Sequence, residues 1–236
     1  MPIHLKIKEG ELAENVIVAG DPERVRQISE LLDDVKLINK NRGLIAYTGK
    51  FNGKPVSVVT HGVGAPSALV VFEEIIQLGA KRIVRLGTCG ALIKGTSIGD
   101  IIVPTGAFYY PGGAYYQYYR EWICGAAVPD YGLLSKLVGE CRKCGVKHFI
   151  GPVVSSDAFY AEDPNFAKTW NSRGAIGVEM ECASLFLLGL MRHVKTGAIL
   201  MVSDSLVEDL GFADANELRE YARRAALIVL NALSRM

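Results

Sequence analysis

The chain has 236 residues, with 26 Lys and Arg against 25 Asp and Glu and a formal net charge of +1. Half of its residues are hydrophobic and 22% are charged, which excludes a disordered or low-complexity chain and fits one globular domain over residues 1–236. So balanced a charge leaves no electrostatic footprint for nucleic acid or an anionic membrane surface, and no apolar run approaches the roughly 18 residues of a membrane span.

From the start of the chain, Met1 to Glu14 carries Lys6, Lys8, Glu9 and Glu11 where a secretory signal would be apolar, so a cytoplasmic protein is expected. Val16 to Ala19 reads as a buried strand. Gly20-Asp21-Pro22 then leads into a helix over about Glu23 to Leu32, with Asp21 as its cap and Pro22 at its first position. Pro55 to Thr60 is a predicted strand, followed by a turn over Gly62 to Pro66 and a helix through Ile76. Ile83-Val84 opens a strand expected to end at the glycine-rich segment Arg85-Leu-Gly-Thr-Cys-Gly90. Asp100 to Val103 and Phe149 to Val154 add two strands, and Ala175 to Val178 is a short one leading into a helix over Met180 to Met191. Ala198 to Val202 is the last strong strand. The closing helix, near Ala215 to Leu233, puts Leu218, Tyr221, Ala222, Ala225, Ile228 and Leu233 on one face. This alternation predicts an α/β fold, a central and largely parallel sheet with helices on both faces.

Two features stand apart. Phe108 to Tyr119 is dense in aromatics and reads as packing or a subunit interface. The five cysteines are an odd number without a zinc pattern, so no metal site is expected. Cys141-Arg-Lys-Cys144 falls where a helix ends and reads as structural, with a disulfide left open.

Ligands bind an open parallel sheet beyond the carboxyl ends of its strands, and the polar residues collect there. Arg24, in the first turn of a helix, works against the helix dipole and calls for a local anion; the alternative is a surface pair with Glu23. Arg85 precedes glycines that would let backbone N–H groups approach a phosphate, but without the spacing or lysine of a P-loop; the alternative is a glycine-rich turn with Arg85 in a salt bridge. Val178-Glu179-Met180-Glu181 sets two carboxylates at a strand–helix junction, either to complement the helix end or to recognise a vicinal diol. Ser203-Asp204 ends an apolar strand, either as a cap or as an acid in a partly dry pocket. These residues point to an enzyme that binds phosphate and a polyol, and spacing alone goes no further.

Taken in order, Gly20-Asp21-Pro22-x-Arg24, Asn41-Arg42-Gly43, His61-Gly62-Val63-Gly64, Arg85-x-Gly87-Thr88-x-Gly90, Ser155 to Tyr160, Val178-Glu179-Met180-Glu181 and Ser203-Asp204 resemble the nucleoside phosphorylase family. That family includes hexameric purine nucleoside phosphorylases, archaeal methylthioadenosine phosphorylases and uridine phosphorylases. The resemblance implies one α/β domain around a mixed sheet, assembled as a homohexamer, a trimer of dimers with shared sites. It implies phosphate held by Gly20, Arg24, Arg85 and Thr88, with Arg42 reaching in from the adjacent subunit. It places Glu181 and Met180 on the sugar, with the neighbour's His4 near the 5′ position. Phe159 would stack on the base, with Val178 and Glu179 beside it, and Ser203 with Asp204 would face its N7 edge, Asp204 as the catalytic acid. The implied substrates are a purine nucleoside and inorganic phosphate, which is a co-substrate, with no cofactor.

Some positions depart from the family pattern. Thr88 stands where serine is common. The stretch from Leu206 to Arg219 is not in register with the arginine that assists the acid in bacterial purine enzymes, Arg219 being the nearest. Ser155 to Tyr160 looks most like the methylthioadenosine branch and lacks the Gln/Arg pair with which the uridine branch reads its base. A uridine phosphorylase, a nucleoside hydrolase and a non-enzymatic nucleoside sensor are the competing expectations.

Overall fold

The computed structural model describes residues 2–161 and 163–236. Its elements run β1 (Asn15–Ala19), α1 (Pro22–Ser29), β2 (Asp33–Asn39), β3 (Ala46–Phe51), β4 (Lys54–Thr60), α2 (Ala65–Gln77), β5 (Arg82–Ala91) and β6 (Ile101–Tyr109). They continue with α3 (Gly113–Tyr119), α4 (Tyr131–Lys143), β7 (His148–Ser155), α5 (Phe166–Ser172), β8 (Gly177–Glu179), α6 (Cys182–Arg192), β9 (Lys195–Ser205) and α7 (Ala215–Ser234).

Among the described residues the strands form one mixed sheet in the order β2-β3-β4-β1-β5-β8-β7-β6-β9, and β9 returns to pair with β5. The last five strands therefore close into a ring. β5 belongs to both parts: its first half pairs in parallel with β1, and its end pairs antiparallel with β8. Along its whole length β5 also runs parallel to β9. Its Val84 and Leu86 are wholly buried, as a strand flanked on both sides and covered on both faces requires. Helices α2 and α6 pack on one face, with Phe72 and Phe186 fully buried there. On the other face α7 packs against α1 and α4. Each such large apolar side chain contributes roughly 1.5–3 kcal/mol through burial.

Asp21 caps α1 as expected, its carboxylate accepting the Glu23 N–H at 2.8 Å, and Pro22 occupies the first turn. The helix ends at Ser29 rather than Leu32. Ser29 Oγ donates back to the Arg26 carbonyl at 2.7 Å, and Leu31 and Leu32 close tighter turns. The junction after β8 is also shifted: α6 begins at Cys182, not Met180, because the Glu179 carboxylate takes the N–H groups of Glu181 and Cys182. The glycine-rich segment Arg85 to Gly90 is not a loop at a strand end but the interior of β5. The hairpin β3–β4 turns on Asn52-Gly53, both at positive φ in its two-residue turn.

The aromatic stretch divides between β6 and α3. Tyr109 and Tyr115 are buried with ring centroids 4.4 Å apart, while Tyr110 and Tyr116 are exposed. All five cysteines are free, so Cys141 and Cys144 form no disulfide. Burial pushes the Cys141 thiol up to about 12, the opposite of a reactive thiol. Among the described residues no helix is long and apolar enough to cross a membrane.

Candidate active site

A cleft of about 620 Å³ opens where β1, β5, β8 and β9 come together. At one end lie Gly20 and Arg24. A Cβ on Gly20 would stand 2.9 Å from the Gly62 carbonyl, so only glycine lets β1 turn into α1 so close to the next loop. Arg24 does not pair with Glu23, which is held instead by Arg26 at 3.0 Å, and among the described residues no carboxylate forms an ion pair with Arg24. Burial lowers its guanidinium pKa, Asp21 opposes that, and the charge of Arg85 lowers it further. Arg24 thus faces the opening beside Arg85 with no ion-pair partner of its own among the described residues.

Arg85 leaves β5 and folds back over Gly87, where a Cβ would lie 1.5 Å from its Nη1. That return carries Nη2 onto Glu181 and to 3.4 Å from Glu179. Burial alone would lower its pKa, but the two carboxylates outweigh that and hold it above the ordinary arginine value. Its Nε and Nη1 are buried with no partner. An orphaned buried guanidinium N–H is costly, so the Glu181 and Glu179 contacts at Nη2 carry the burden of holding the side chain here.

The two carboxylates have separate tasks. Glu179 is fully engaged in the fold, accepting the N–H groups of Glu181 and Cys182 and the hydroxyl of Ser155. Glu181 accepts the Gly64 N–H at 2.7 Å and the Arg85 guanidinium. Burial would raise its pKa, but Arg85 and that N–H prevail and keep it ionised. Met180 and Thr88 line the cleft beside them.

At the other end the β5–β9 register slips after Cys89, so Gly90 opposes Asp204 and Ser203 is the extra residue. The Ser203 hydroxyl donates to Asp204 at 2.7 Å. Burial raises the Asp204 pKa and that hydrogen bond lowers it, the first effect being the larger. A Cβ on Gly90 would meet Leu206 at 2.5 Å, Asp204 at 2.9 Å and Val178 at 3.2 Å. The missing side chain therefore lets Leu206 and Val178 pack onto the strand beside one carboxyl group. Phe159, on a 3-10 turn after β7, forms a wall of the same cleft.

Residues 14–234 match the family described as the Phosphorylase superfamily. The chain belongs to that superfamily. Among curated relatives of this phosphorylase is the guanosine phosphorylase of Halorubrum lacusprofundi, 36% identical over 98% of this chain and 97% of the relative. The DeoD-type purine nucleoside phosphorylase of Clostridium novyi is 37% identical over 88% of this chain and 89% of its own. Among solved structures, a uridine phosphorylase from Vibrio fischeri superposes with a TM-score of 0.88 at 28% identity, covering 100% of this chain and 97% of that one.

In this phosphorylase chain the cleft gathers Gly20, Arg24, Arg85, Thr88, Phe159 and the residues from Val178 to Glu181, together with Ser203 and Asp204. His4 and Arg42 lie elsewhere on the subunit. Asn41 Nδ2 donates to the His4 carbonyl at 2.8 Å, and the His4 ring meets Glu74 at 2.7 Å, so the two segments share one face away from the cleft. Sequence reasoning missed Ser156, Leu206 and Phe212, which also line the cleft. Arg219 belongs to a separate surface hollow with Gln27 and Arg223. His61 lies behind Gly20, fully buried with both ring nitrogens unpartnered, and burial pushes its pKa down to about 3. It is a neutral imidazole under the arginines.

Proposed function

We propose that this protein is a purine nucleoside phosphorylase, cleaving purine ribo- and deoxyribonucleosides reversibly with phosphate to the free base and the sugar 1-phosphate. The observation that carries this reading is Arg24 and Arg85 converging on one cleft with Glu181 and Asp204. Two cationic donors at one end suit a phosphate dianion, and an ionised Glu181 suits the hydroxyls of a sugar. Phosphate oriented by the arginines attacks C1′ and stabilises the cationic sugar as the glycosidic bond breaks. The leaving purine gathers negative charge, which a proton or strong hydrogen bond from Asp204 at N7 offsets. Leu206 and Val178, packed at Gly90, keep that carboxyl partly dry, and burial raises its pKa in the direction that suits an acid.

Inorganic phosphate is a co-substrate here and the chemistry calls for no organic cofactor. A hydrolase would give water, not an anion, to Arg24 and Arg85. A uridine enzyme shares the fold, but an acid at the base edge suits a purine N7. In this reading 5′-methylthioadenosine is a further substrate, and the protein is a cytoplasmic salvage enzyme working as a homohexamer in which His4 and Arg42 complete a neighbour's cleft.

The test is product analysis with inosine, guanosine, adenosine, 5′-methylthioadenosine and uridine, each with and without phosphate. Free purine plus sugar 1-phosphate, formed only when phosphate is present, is expected. Release of base without phosphate would make the protein a hydrolase, preference for uridine would move it to the pyrimidine branch, and binding without product would leave a sensor.

A further inference from the structure

The loop after β9 carries one aromatic side chain, and its ring stands at the cleft rather than in the core. Phe212 is 68% exposed, lines the cleft, and faces Phe159 with ring centroids 6.2 Å apart and planes inclined at 54°. The loop is held at its neck, where the Ala213 N–H donates to the Ser203 carbonyl at 2.9 Å, so Phe212 is fixed beside the Ser203–Asp204 pair. Gly211, at φ 64°, makes the turn that presents it. On the outgoing side, Ser205 Oγ accepts the Val207 and Glu208 N–H groups, and Glu208 takes the Gly95 N–H at 2.8 Å.

An anchored loop that leaves so much of a phenylalanine in water gains nothing from it in the free subunit. The two rings are not stacked on each other; their inclination leaves a wedge open to the cleft. A flat heteroaromatic base fills such a wedge, and stacking on both of its faces covers both rings. We infer that Phe212 is a specificity-determining residue that closes on the base from the side opposite Phe159, gripping it between two rings beside Asp204. The naming of that base as a purine rests on the phosphorylase reading; the two-ring grip does not. A bicyclic base offers each ring more area than a pyrimidine, so the grip favours purines.

The experiment compares wild type with Phe212→Ala and Phe212→Tyr. Calorimetry measures binding of free hypoxanthine and free uracil, steady-state assays give kcat and KM for inosine and for phosphate, and thermal unfolding reports on the fold. In Phe212→Ala, hypoxanthine affinity is expected to fall by roughly 5- to 150-fold, the span of one lost base–aromatic stack. The inosine KM rises in step, the phosphate KM and unfolding midpoint stay put, and uracil binding changes less. Phe212→Tyr restores hypoxanthine binding. Hypoxanthine affinity within about twofold of wild type in Phe212→Ala overturns the grip, as does a wild type that binds no free base. A wild type that binds hypoxanthine through Phe212 but cleaves no nucleoside would overturn the phosphorylase reading alone. Unchanged affinity in a protein that still cleaves inosine would overturn the grip alone.

Discussion

Asp204 owes its chemistry to poor solvation. A carboxyl whose folded pKa is raised by burial stabilises the fold while protonated, and that contribution is lost as pH rises through the folded value. At neutral pH the ionised form is therefore a cost to the fold, so Asp204→Asn should leave the thermal midpoint unchanged or raise it. Its effect on catalysis should be large. Asparagine keeps the size and the Ser203 hydrogen bond but has no acid proton, so turnover of inosine should drop by about 10²–10⁴-fold while nucleoside affinity changes little. Parallel measurement of kcat, nucleoside binding and thermal midpoint checks this. A variant with near-normal turnover would remove Asp204 from the acid's place. Glu179 is different in kind: its carboxylate is consumed by the α6 N-terminus and Ser155, so its substitution is expected to lower stability before it alters specificity.

At the scale of elements, β5 shows why a strand interior carries a Gly-Thr-x-Gly pattern. Gly87 exists to let Arg85 fold back along its own strand, and Gly90 exists to let Leu206 and Asp204 pack against it. Gly87→Ala puts a methyl where Nη1 now lies, displacing the guanidinium from Glu181 and from the anion site. The phosphate KM should rise by roughly 10- to 100-fold, the span of a lost charge-assisted hydrogen bond, with the nucleoside KM raised less. Equal elevation of both would mean that Arg85 serves the sugar through Glu181 rather than phosphate. These glycines also mark the limit of what was legible. β1, β4 and β9 announce themselves as short β-branched runs, and Asp21-Pro22 states its helix start in two residues. Glycine between polar residues, however, reads locally as a turn. Only contacts with Arg85, Asp204 and Leu206, distant in sequence or folded back in space, reveal it as strand. β2 was unreadable for another reason: most of its residues are exposed, so it has no apolar periodicity to read. Phe212 gave no signal at all, since a lone aromatic in a polar stretch is ordinary until its loop is seen tied to Ser203.

At the scale of the whole molecule, the proposed site is spread over two faces that one subunit does not bring together. Asp204, Arg24 and Arg85 line the cleft; Arg42 sits at φ 57° in the exposed Asn41–Gly43 turn, beside Lys6 and Lys40 in a different hollow. Glu74 fixes this second face by accepting the N–H groups of Ile3, His4 and Leu5 and meeting the His4 ring. Under the proposed homohexamer, an isologous pair of subunits places each such face at the partner's cleft, and every site draws on both chains. That geometry makes a prediction that a self-contained subunit does not. Asp204→Asn has a defective cleft and an intact second face, and Arg42→Ala has the reverse. In a mixed pair, one site collects both defects and the other collects neither. Co-expression at equal levels with random pairing gives mixed pairs half of the time, each with one intact site of two, so activity at low phosphate should return to about a quarter of wild type. The two variants purified separately and mixed without subunit exchange should show no such gain. Failure to recover activity in isolated mixed pairs would confine Arg42 to its own subunit and leave the cleft to work with Arg24 and Arg85 alone.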